Sequence, residues 1–164
     1  MKLNLGCGTK IKKGYENFDC RPNKGVTKVG EILKVEKYYK PESFEYIICE
    51  HTIEHFYKKD AVKVLQACYN LLEPGGIFVV CGPDVLGIYN RYWVEQQDEV
   101  KVVLHLYGCE EHRELYGEQM MHKSGWTGRA MEKELKDIGF KILQTKQSNC
   151  HGRSNRDFEV IATK

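Results

Sequence analysis

Two glycines and a carboxylate near the N-terminus form the most informative chemical pattern in the sequence. The apolar segment Lys2–Leu5 runs into the turn Gly6–Gly8, and a second short apolar segment ends at Asp19. In a parallel α/β sheet, glycines in such a turn let the backbone approach a ligand closely, and a carboxylate after the next strand accepts hydrogen bonds from two ribose hydroxyls. The pattern therefore predicts a nucleoside pocket. The alternatives are an ordinary strand–helix turn at the glycines and a turn cap at Asp19.

The segment from His51 to His55 indicates a different chemistry. His51, Glu54 and His55 fit the spacing H-x-x-E-H, in which two histidines on one helical face bind zinc and the glutamate acts as a general base. That interpretation needs one continuous helix, whereas His51 directly follows an apolar strand-like segment. A third ligand would have to come from a residue such as Glu111 or Glu118. A zinc hydrolase is therefore the alternative hypothesis.

A second metal-like pattern is the C-x-x-H pair Cys109 and His112, for which Cys150 and His151 would supply the other half of a structural zinc site. One such pair is weak evidence. Because neither pattern gives a complete set of ligands, we predict no metal site.

Length and charge limit what the chain can do. The 164 residues suffice for one domain, assigned to 1–164, and leave no room for a separate substrate domain. The formal net charge of +2 lacks the basic excess of a dedicated nucleic-acid-binding protein, so we expect no nucleic-acid partner. The longest apolar run, Ile77–Cys81, is far below membrane-spanning length and no apolar signal core precedes the first strand, so we expect no membrane partner.

The cysteines indicate a cellular compartment. There are seven, an odd number, scattered without a C-x-x-C pair and often inside apolar segments. This usage is typical of reduced thiols and predicts a cytoplasmic protein.

Short apolar segments separated by turns or helical patterns predict a parallel sheet. The last two predicted strands flank a polar turn and would pair as a hairpin. The predicted strands are Lys2–Leu5, Glu16–Asp19, Val26–Val29, Tyr46–Cys49, Ile77–Cys81, Lys141–Lys146 and Phe158–Thr163.

Apolar residues at helical spacing predict two clear helices. One covers Ile53–Leu72 and ends in a proline-glycine turn, and the other covers Thr127–Ile138, capped by its first residue and ended by Gly139. The pattern over 85–105 predicts partial helix, and 108–125 is expected to be irregular.

The order of these elements resembles that of a class I S-adenosylmethionine-dependent methyltransferase over nearly the whole chain. The glycine turn and Asp19 match the first two landmarks of that family, and three further segments match the third strand end, the fourth strand and the turn before the fifth. The resembling segments are Leu3–Gly8 with Asp19, Val29–Leu33, Glu45–Phe56 and Leu71–Gly76.

The resemblance implies an α/β fold with a doubly wound, mostly parallel seven-stranded sheet of order 3-2-1-4-5-7-6, in which strand 7 is antiparallel, as in the Rossmann-like methyltransferases. It also implies S-adenosylmethionine as the cofactor. Asp19 would bind the ribose, Glu31 would meet the adenine amino group, with Glu36 or the backbone as the alternative, and Glu50 would border the methionine portion. The implied cofactor-binding residues are Leu5, Gly6, Cys7, Gly8, Asp19, Glu31, Ile32, Glu50 and His51.

Catalysis in this family means holding an acceptor oxygen or nitrogen in line with an already activated methyl group. His122, Asp84 or His51 would remove the acceptor proton. Asp84 follows Gly82-Pro83, so a helix cap is the alternative for it. A surface position is the alternative for His122.

One departure from the family pattern concerns the first helix. Gly6 and Asp19 are only thirteen positions apart, against about 20 in the usual arrangement, and Lys10 replaces a third glycine. We therefore expect the first helix to be lost or shortened to a turn, as in a short branch of predicted methyltransferases that the chain resembles. Such a loss opens one wall of the pocket, which predicts weak cofactor binding or a partner, either a second copy or another subunit, that covers the gap.

The expected acceptor is a small molecule such as a sugar or a phosphorylated metabolite, because a single near-neutral domain is poorly equipped to recognise a polymer. A cluster of basic residues beside the pocket would attract phosphate or carboxylate groups, or would simply be a solvated face. The alternative is a non-catalytic cofactor-binding subunit that a partner completes. The basic residues are Lys10, Lys12, Lys13, Arg21 and Lys24.

Overall fold

Seven strands form one sheet in the computed structural model, which describes residues 1–148 and 156–164. The order is β3-β2-β1-β4-β5-β7-β6, and β7 runs antiparallel to both of its neighbours while the other described pairs are parallel. This confirms the predicted topology. The strands are β1 (Lys2–Leu5), β2 (Glu16–Asp19), β3 (Lys28–Val29), β4 (Phe44–Glu50), β5 (Leu72–Pro83), β6 (Lys141–Ser148) and β7 (Asp157–Thr163).

Among the described residues, five α-helices connect the strands, and a π-helical turn, Tyr89–Val94, extends α2. The helices are α1 (Lys58–Leu71), α2 (Val85–Ile88), α3 (Glu99–Tyr107), α4 (Glu110–Tyr116) and α5 (Gly128–Ile138), with 3₁₀ turns at Ile32–Lys37, Ile53–His55 and Glu118–Met120.

The helix predicted over Thr127–Ile138 is confirmed as α5. Oγ1 of Thr127 accepts a hydrogen bond from the Ala130 amide at 3.1 Å, and Gly139 ends the helix with a φ of +121° that favours glycine.

Two other predictions on the helices need correction. The helix expected over Ile53–Leu72 begins only at Lys58, because Phe56 and Tyr57 adopt extended backbone with ψ of 146° and 150°. The apolar spacing continues through this break, which is why periodicity alone missed it. The segment over 108–125 is not wholly irregular, since it contains α4 and a 3₁₀ turn.

The main apolar cluster lies on the face of the sheet that α1 and α5 cover. Alternate residues of β1, β4, β5 and β7 point into it, as the period of a strand requires. Full burial of each large apolar side chain contributes about 1.5–3 kcal/mol relative to exposure. Fully buried members include Phe18, Phe44, Phe78, Leu65 and Leu71.

No helix connects β1 to β2, as expected from the short spacing, and every residue of this connection is described. Two buried asparagines bind the connecting loop to the sheet. Nδ2 of Asn4 donates to the Lys10 carbonyl at 2.8 Å, and Oδ1 of Asn17 accepts from the Lys12 amide at 2.9 Å. The two side chains also bond each other at 2.8 Å. This polar network satisfies backbone groups of the loop where the first helix of the family would stand.

The cysteines only partly follow the sequence prediction. Cys81 is disulfide-bonded, so the expectation of reduced thiols throughout is wrong at this position. Spacing could not show this, because a disulfide depends on two thiols meeting in the fold. Cys150 and His151, half of the structural zinc pattern considered above, lie outside the described residues. The free thiols among the described residues are Cys7, Cys20, Cys49, Cys68 and Cys109.

In the described part of the chain, no helix has both the length and the apolar character needed to span a bilayer.

Candidate functional site

A cavity of about 700 Å³ opens at the carboxyl ends of β1, β2 and β4. This is the edge at which ligands bind in parallel α/β sheets. Of the residues that the sequence assigned to cofactor binding, only Leu5 does not line the cavity, because its side chain is fully buried in the core. The assigned residues that line it are Gly6, Cys7, Gly8, Asp19, Glu31, Ile32, Glu50 and His51.

The glycine turn forms the floor of this cavity. Gly6 has a φ of +70°, which places its amide to donate a 2.8 Å hydrogen bond to the Phe18 carbonyl. A methyl group added at Gly6 would lie 2.6 Å from Cγ2 of Thr52, and closer still to its Oγ1. The turn therefore requires glycine here both for its conformation and for the close approach of Thr52.

Asp19 ends β2 beside the glycine turn and is 4% exposed. Its Oδ2 accepts a 2.7 Å hydrogen bond from the Gly8 amide, and its Oδ1 accepts one of 2.9 Å from the Arg21 amide. Nε of Arg21 and Sγ of Cys20 also lie 3.4 and 3.7 Å from Oδ1, so the acceptor capacity that remains for ligand hydroxyls is mainly that of Oδ2.

Part of the cavity wall comes from a distant segment of the same chain. Gln119, Met120 and Lys123 line the cavity, and Nη1 of Arg21 lies 3.5 Å from Sδ of Met120. The sequence predicted an open wall at this point, because the contact between Met120 and Arg21 spans 99 positions and no short-range pattern indicates it.

His51 occupies a strained backbone position at the end of β4, with a φ of +48° that is uncommon outside glycine. Its Nδ1 lies 3.2 Å from Oε1 of Glu54 and its Nε2 lies 3.4 Å from Oδ2 of Asp157. Burial opposes the charged imidazole, but the Asp157 and Glu54 carboxylates outweigh it and raise the pKa of His51 to about 9. His51 is therefore protonated at neutral pH, so we do not assign it as the proton acceptor.

Asp84 lies outside the cavity lining and serves as a helix cap. Its Oδ1 accepts hydrogen bonds from the Leu86 and Gly87 amides at 2.9 and 3.0 Å, and its Oδ2 accepts one from the Gly128 amide at 3.1 Å. The carboxylate thus joins the first turns of α2 and α5. The geometry favours the cap over the substrate contact that the sequence left open.

His122 also lies outside the cavity lining, although its neighbour Lys123 belongs to it. Its ring packs edge-on against His55, with the centroids 5.2 Å apart, and both imidazoles lie beside the buried Glu54. Burial lowers the pKa of His122 below its ordinary value, so the ring is neutral at pH 7. His55 does line the cavity, as His51 does, although the sequence had placed His55 only in the possible zinc motif.

Comparison with known proteins identifies the family. Residues 8–147 match the family model described as a methyltransferase domain, and the chain belongs to this family. The sheet order and the cavity at its carboxyl edge are those of class I. The chain is a class I S-adenosylmethionine-dependent methyltransferase. None of the curated proteins compared matches the sequence.

Solved structures resemble the methyltransferase in fold. An S-adenosylmethionine-dependent methyltransferase from Archaeoglobus fulgidus aligns with a TM-score of 0.66 at 14% identity, covering 99% of this chain and 85% of that one. One from Mesorhizobium loti aligns with a TM-score of 0.65 at 15% identity, covering 99% and 90%. The 1,6-didemethyltoxoflavin-N1-methyltransferase of Burkholderia thailandensis, solved with bound 1,6-didemethyltoxoflavin and S-adenosylhomocysteine, aligns with a TM-score of 0.66 at 10% identity, covering 99% and 70%.

The cavity of the methyltransferase also contains residues that sequence reasoning missed. Lys123 places its Nζ 5.7 Å from the centre of the Tyr57 ring, and both residues line the cavity together with Asp60. Thr52 is buried against the glycine turn and donates to the Glu50 carbonyl at 3.1 Å. For Thr52, the only signal in the sequence was a polar residue directly after a predicted strand. For Lys123, no signal in the sequence indicated a functional position. Lys123, Tyr57 and Thr52 thus add an ammonium group, an aromatic ring and a hydroxyl group to the cavity lining.

Proposed function

We propose that the methyltransferase binds S-adenosylmethionine in this cavity and transfers its methyl group to an oxygen or nitrogen of a small molecule. The observation that carries the proposal is the convergence of the glycine turn, Asp19 and Glu31 on one cavity. Asp19 would accept hydrogen bonds from the ribose hydroxyls and Glu31 one from the adenine amino group. The turn Gly6–Gly8 and Glu50 would contact the methionine portion.

The acceptor would lie on the side of the cavity formed by Thr52, His55, Tyr57 and Lys123. A cavity of about 700 Å³ is in the range of ligand pockets and suits a cofactor with a small acceptor rather than a folded polymer. The Lys123 ammonium favours an acceptor with a carboxylate or phosphate group, since a partly desolvated charge pair both attracts and orients such a ligand.

The sulfonium of the cofactor supplies an activated methyl group, so the protein contributes mainly by position. Holding the acceptor atom in line with the methyl group replaces a bimolecular encounter by an oriented one, which is worth about 7–11 kcal/mol in favourable cases. Thr52 and Tyr57 restrict where the acceptor can lie, and Lys123 fixes its charged end.

The gap left by the missing first helix raises the question of whether a partner subunit is needed for cofactor binding. Because Gln119 and Met120 of the same chain line the cavity near Arg21, we propose that the isolated chain binds the cofactor. A second copy or another subunit is then not needed for binding.

Titration calorimetry of the purified chain with S-adenosylmethionine, S-adenosylhomocysteine and NAD tests the cofactor part of the proposal. We expect one site for each of the first two ligands and none for NAD. Failure of both to bind a folded monomer would refute binding by the isolated chain.

Transfer of a radiolabelled methyl group tests the acceptor part. Pools of carboxylated metabolites, phosphorylated metabolites, neutral sugars and amines, bulk RNA and bulk protein are offered separately. Label in either anionic pool is expected, whereas label confined to the RNA or protein pool would contradict a small-molecule acceptor, and label confined to neutral molecules would contradict the role given to Lys123.

A further inference from the structure

A buried carboxylate and two imidazoles meet beside the acceptor side of the cavity. One ligand atom each from Glu54, His55 and His122 lies within 4.8 Å of the other two. We propose that these three residues bind a divalent transition-metal ion, for which Zn²⁺ is the best-fitting candidate. The proposal replaces the sequence prediction that the protein has no metal site.

The donor set fits such an ion. Two imidazole nitrogens and one carboxylate oxygen are the protein ligands of many catalytic zinc sites, in which the fourth tetrahedral position is left for water or substrate. Zinc–ligand distances are about 2.0–2.2 Å, so ligand atoms that already lie within 4.8 Å of one another need only small side-chain rotations to surround one ion.

A hydrogen bond orients the His55 imidazole for metal binding. Nδ1 of His55 lies 3.3 Å from the Met121 carbonyl, and the tautomer that donates this bond leaves Nε2 with a free lone pair. The Leu106 backbone also interacts with His122, whose pKa it raises against the effect of burial. A ligating histidine typically donates its second N–H to such a backbone carbonyl, which fixes the ring.

The Glu54 carboxylate is the strongest indication that an ion is bound. The residue is 3% exposed, and neither oxygen accepts a hydrogen bond of acceptable geometry from the described residues, although His51 provides an ion pair at 3.2 Å. A buried carboxylate with so few hydrogen bonds is costly unless other groups compensate its charge. A metal ion on the side of His55 and His122 would supply that compensation, with His51 as the outer partner of the carboxylate.

The backbone holds the two halves of the cluster together. The Glu54 carbonyl accepts hydrogen bonds from the Lys123 and Ser124 amides at 2.7 and 3.2 Å. The fold therefore brings His122 to a motif that ends 67 positions earlier, at His55. His51, the other histidine of that motif, contacts Glu54 and Asp157 instead and is not part of the cluster. Because His55 also lines the cavity, the ion would lie in its wall.

Metal binding is measured on the full chain, freed of metal by a chelator and without cofactor. Equilibrium dialysis with Zn²⁺ gives the stoichiometry, and Co²⁺ added to the same protein reports its ligands by visible absorption. The variants are His55→Gln and His122→Gln. The matched control is His105→Gln, which changes a histidine of α3 that lies outside the cluster. Circular dichroism checks that each variant is folded.

We expect one tightly bound Zn²⁺ per chain in the wild type and in His105→Gln, and a loss of affinity on the order of 100-fold or more in either cluster variant. The Co²⁺ spectrum should show d–d bands without thiolate charge transfer. Equal affinity of His55→Gln, His122→Gln and wild type, an absence of stoichiometric binding in the wild type, or a thiolate band that assigns the ion to cysteine would each overturn the proposal. If the variants do not fold, the wild-type stoichiometry and Co²⁺ spectrum still decide it.

S-adenosylhomocysteine binding is measured separately, on the metal-free wild type. Metal binding without cofactor binding would refute the proposed function and leave the metal site standing. Cofactor binding without metal binding would refute the metal site and leave the proposed function standing.

Discussion

The amide of Gly8 donates a 2.7 Å hydrogen bond to Oδ2 of Asp19, which ties the turn after β1 to the carboxylate at the end of β2. The carboxylate therefore stabilises the glycine turn, in addition to making the proposed contact with the ribose. The amide of Arg21 binds the other carboxylate oxygen and anchors the adjoining loop. Substitutions at Asp19 should report on both tasks.

Replacing Asp19 by alanine should weaken S-adenosylhomocysteine binding by about 1–3 kcal/mol, or roughly 5- to 150-fold in Kd, because charge-assisted hydrogen bonds are lost. Calorimetry measures the change. Asp137→Ala, at an exposed position of α5, is the control and should bind as the wild type does. A folded Asp19→Ala protein with unchanged affinity would remove Asp19 from the cofactor site.

Gly6→Ala should lower the free energy of unfolding more than Gly14→Ala does. Both glycines have positive φ, +70° and +82°, so both alanine variants incur about 1–2 kcal/mol of backbone strain. Only Gly6 has the Thr52 side chain in the way, which should add about 1–3 kcal/mol. Denaturant unfolding measures both.

Thr52→Ala provides the check on the steric part of this difference. In a double-mutant cycle, Gly6→Ala should lower the free energy of unfolding by less in the Thr52→Ala background than in the wild type. Equal costs in the two backgrounds would show that the two residues do not clash.

Asp84→Ala should destabilise the protein while leaving S-adenosylhomocysteine affinity unchanged below the unfolding transition. The substitution leaves three backbone N–H groups without their acceptor, which should lower the free energy of unfolding by about 1–3 kcal/mol. Asp98→Ala removes the cap of α3, whose carboxylate accepts a hydrogen bond from the Lys101 amide, and should lower the free energy of unfolding by less than Asp84→Ala does. A stability loss at Asp84 no larger than at Asp98 would argue against the capping role.

Alkylation of Cys7 should be slow at neutral pH. Burial, aided by the negative charge of Asp19, raises the pKa of this thiol to about 11, so the reactive thiolate is scarce. At pH 8 iodoacetamide should modify Cys7 at least about a hundredfold more slowly than it modifies glutathione, and the rate should rise roughly tenfold per pH unit up to pH 10.

Mass spectrometry of the Cys7 peptide follows this reaction, and saturating S-adenosylhomocysteine should slow it further because Cys7 lines the cavity. Rapid labelling at pH 7, or a rate that reaches a plateau by pH 9, would be inconsistent with the raised pKa. Labelling that the cofactor product does not change would argue that the ligand binds away from the glycine turn.

Short segments of the sequence were enough to predict the sheet and the floor of the cavity. Strand residues alternate between two faces, glycines are needed where φ is positive, and a cap such as Thr127 acts on amides three positions away. Such signals are local, so the strands, the loss of the first helix, the Gly6–Gly8 turn and the place of Asp19 could be inferred before any coordinates, whereas the strand order followed from the resemblance to the methyltransferase family.

Only the tertiary structure decided the other walls and the chemistry beside them. Met120 reaches Arg21 across 99 positions, His122 joins Glu54 and His55 in place of His51, and Asp157 helps to keep His51 charged. No spacing rule encodes such contacts, because they depend on which loops the packing of the sheet and helices brings together. The sequence by itself determined the glycine turn and the carboxylate of the proposed cofactor site, and the fold determined which distant side chains surround the cavity.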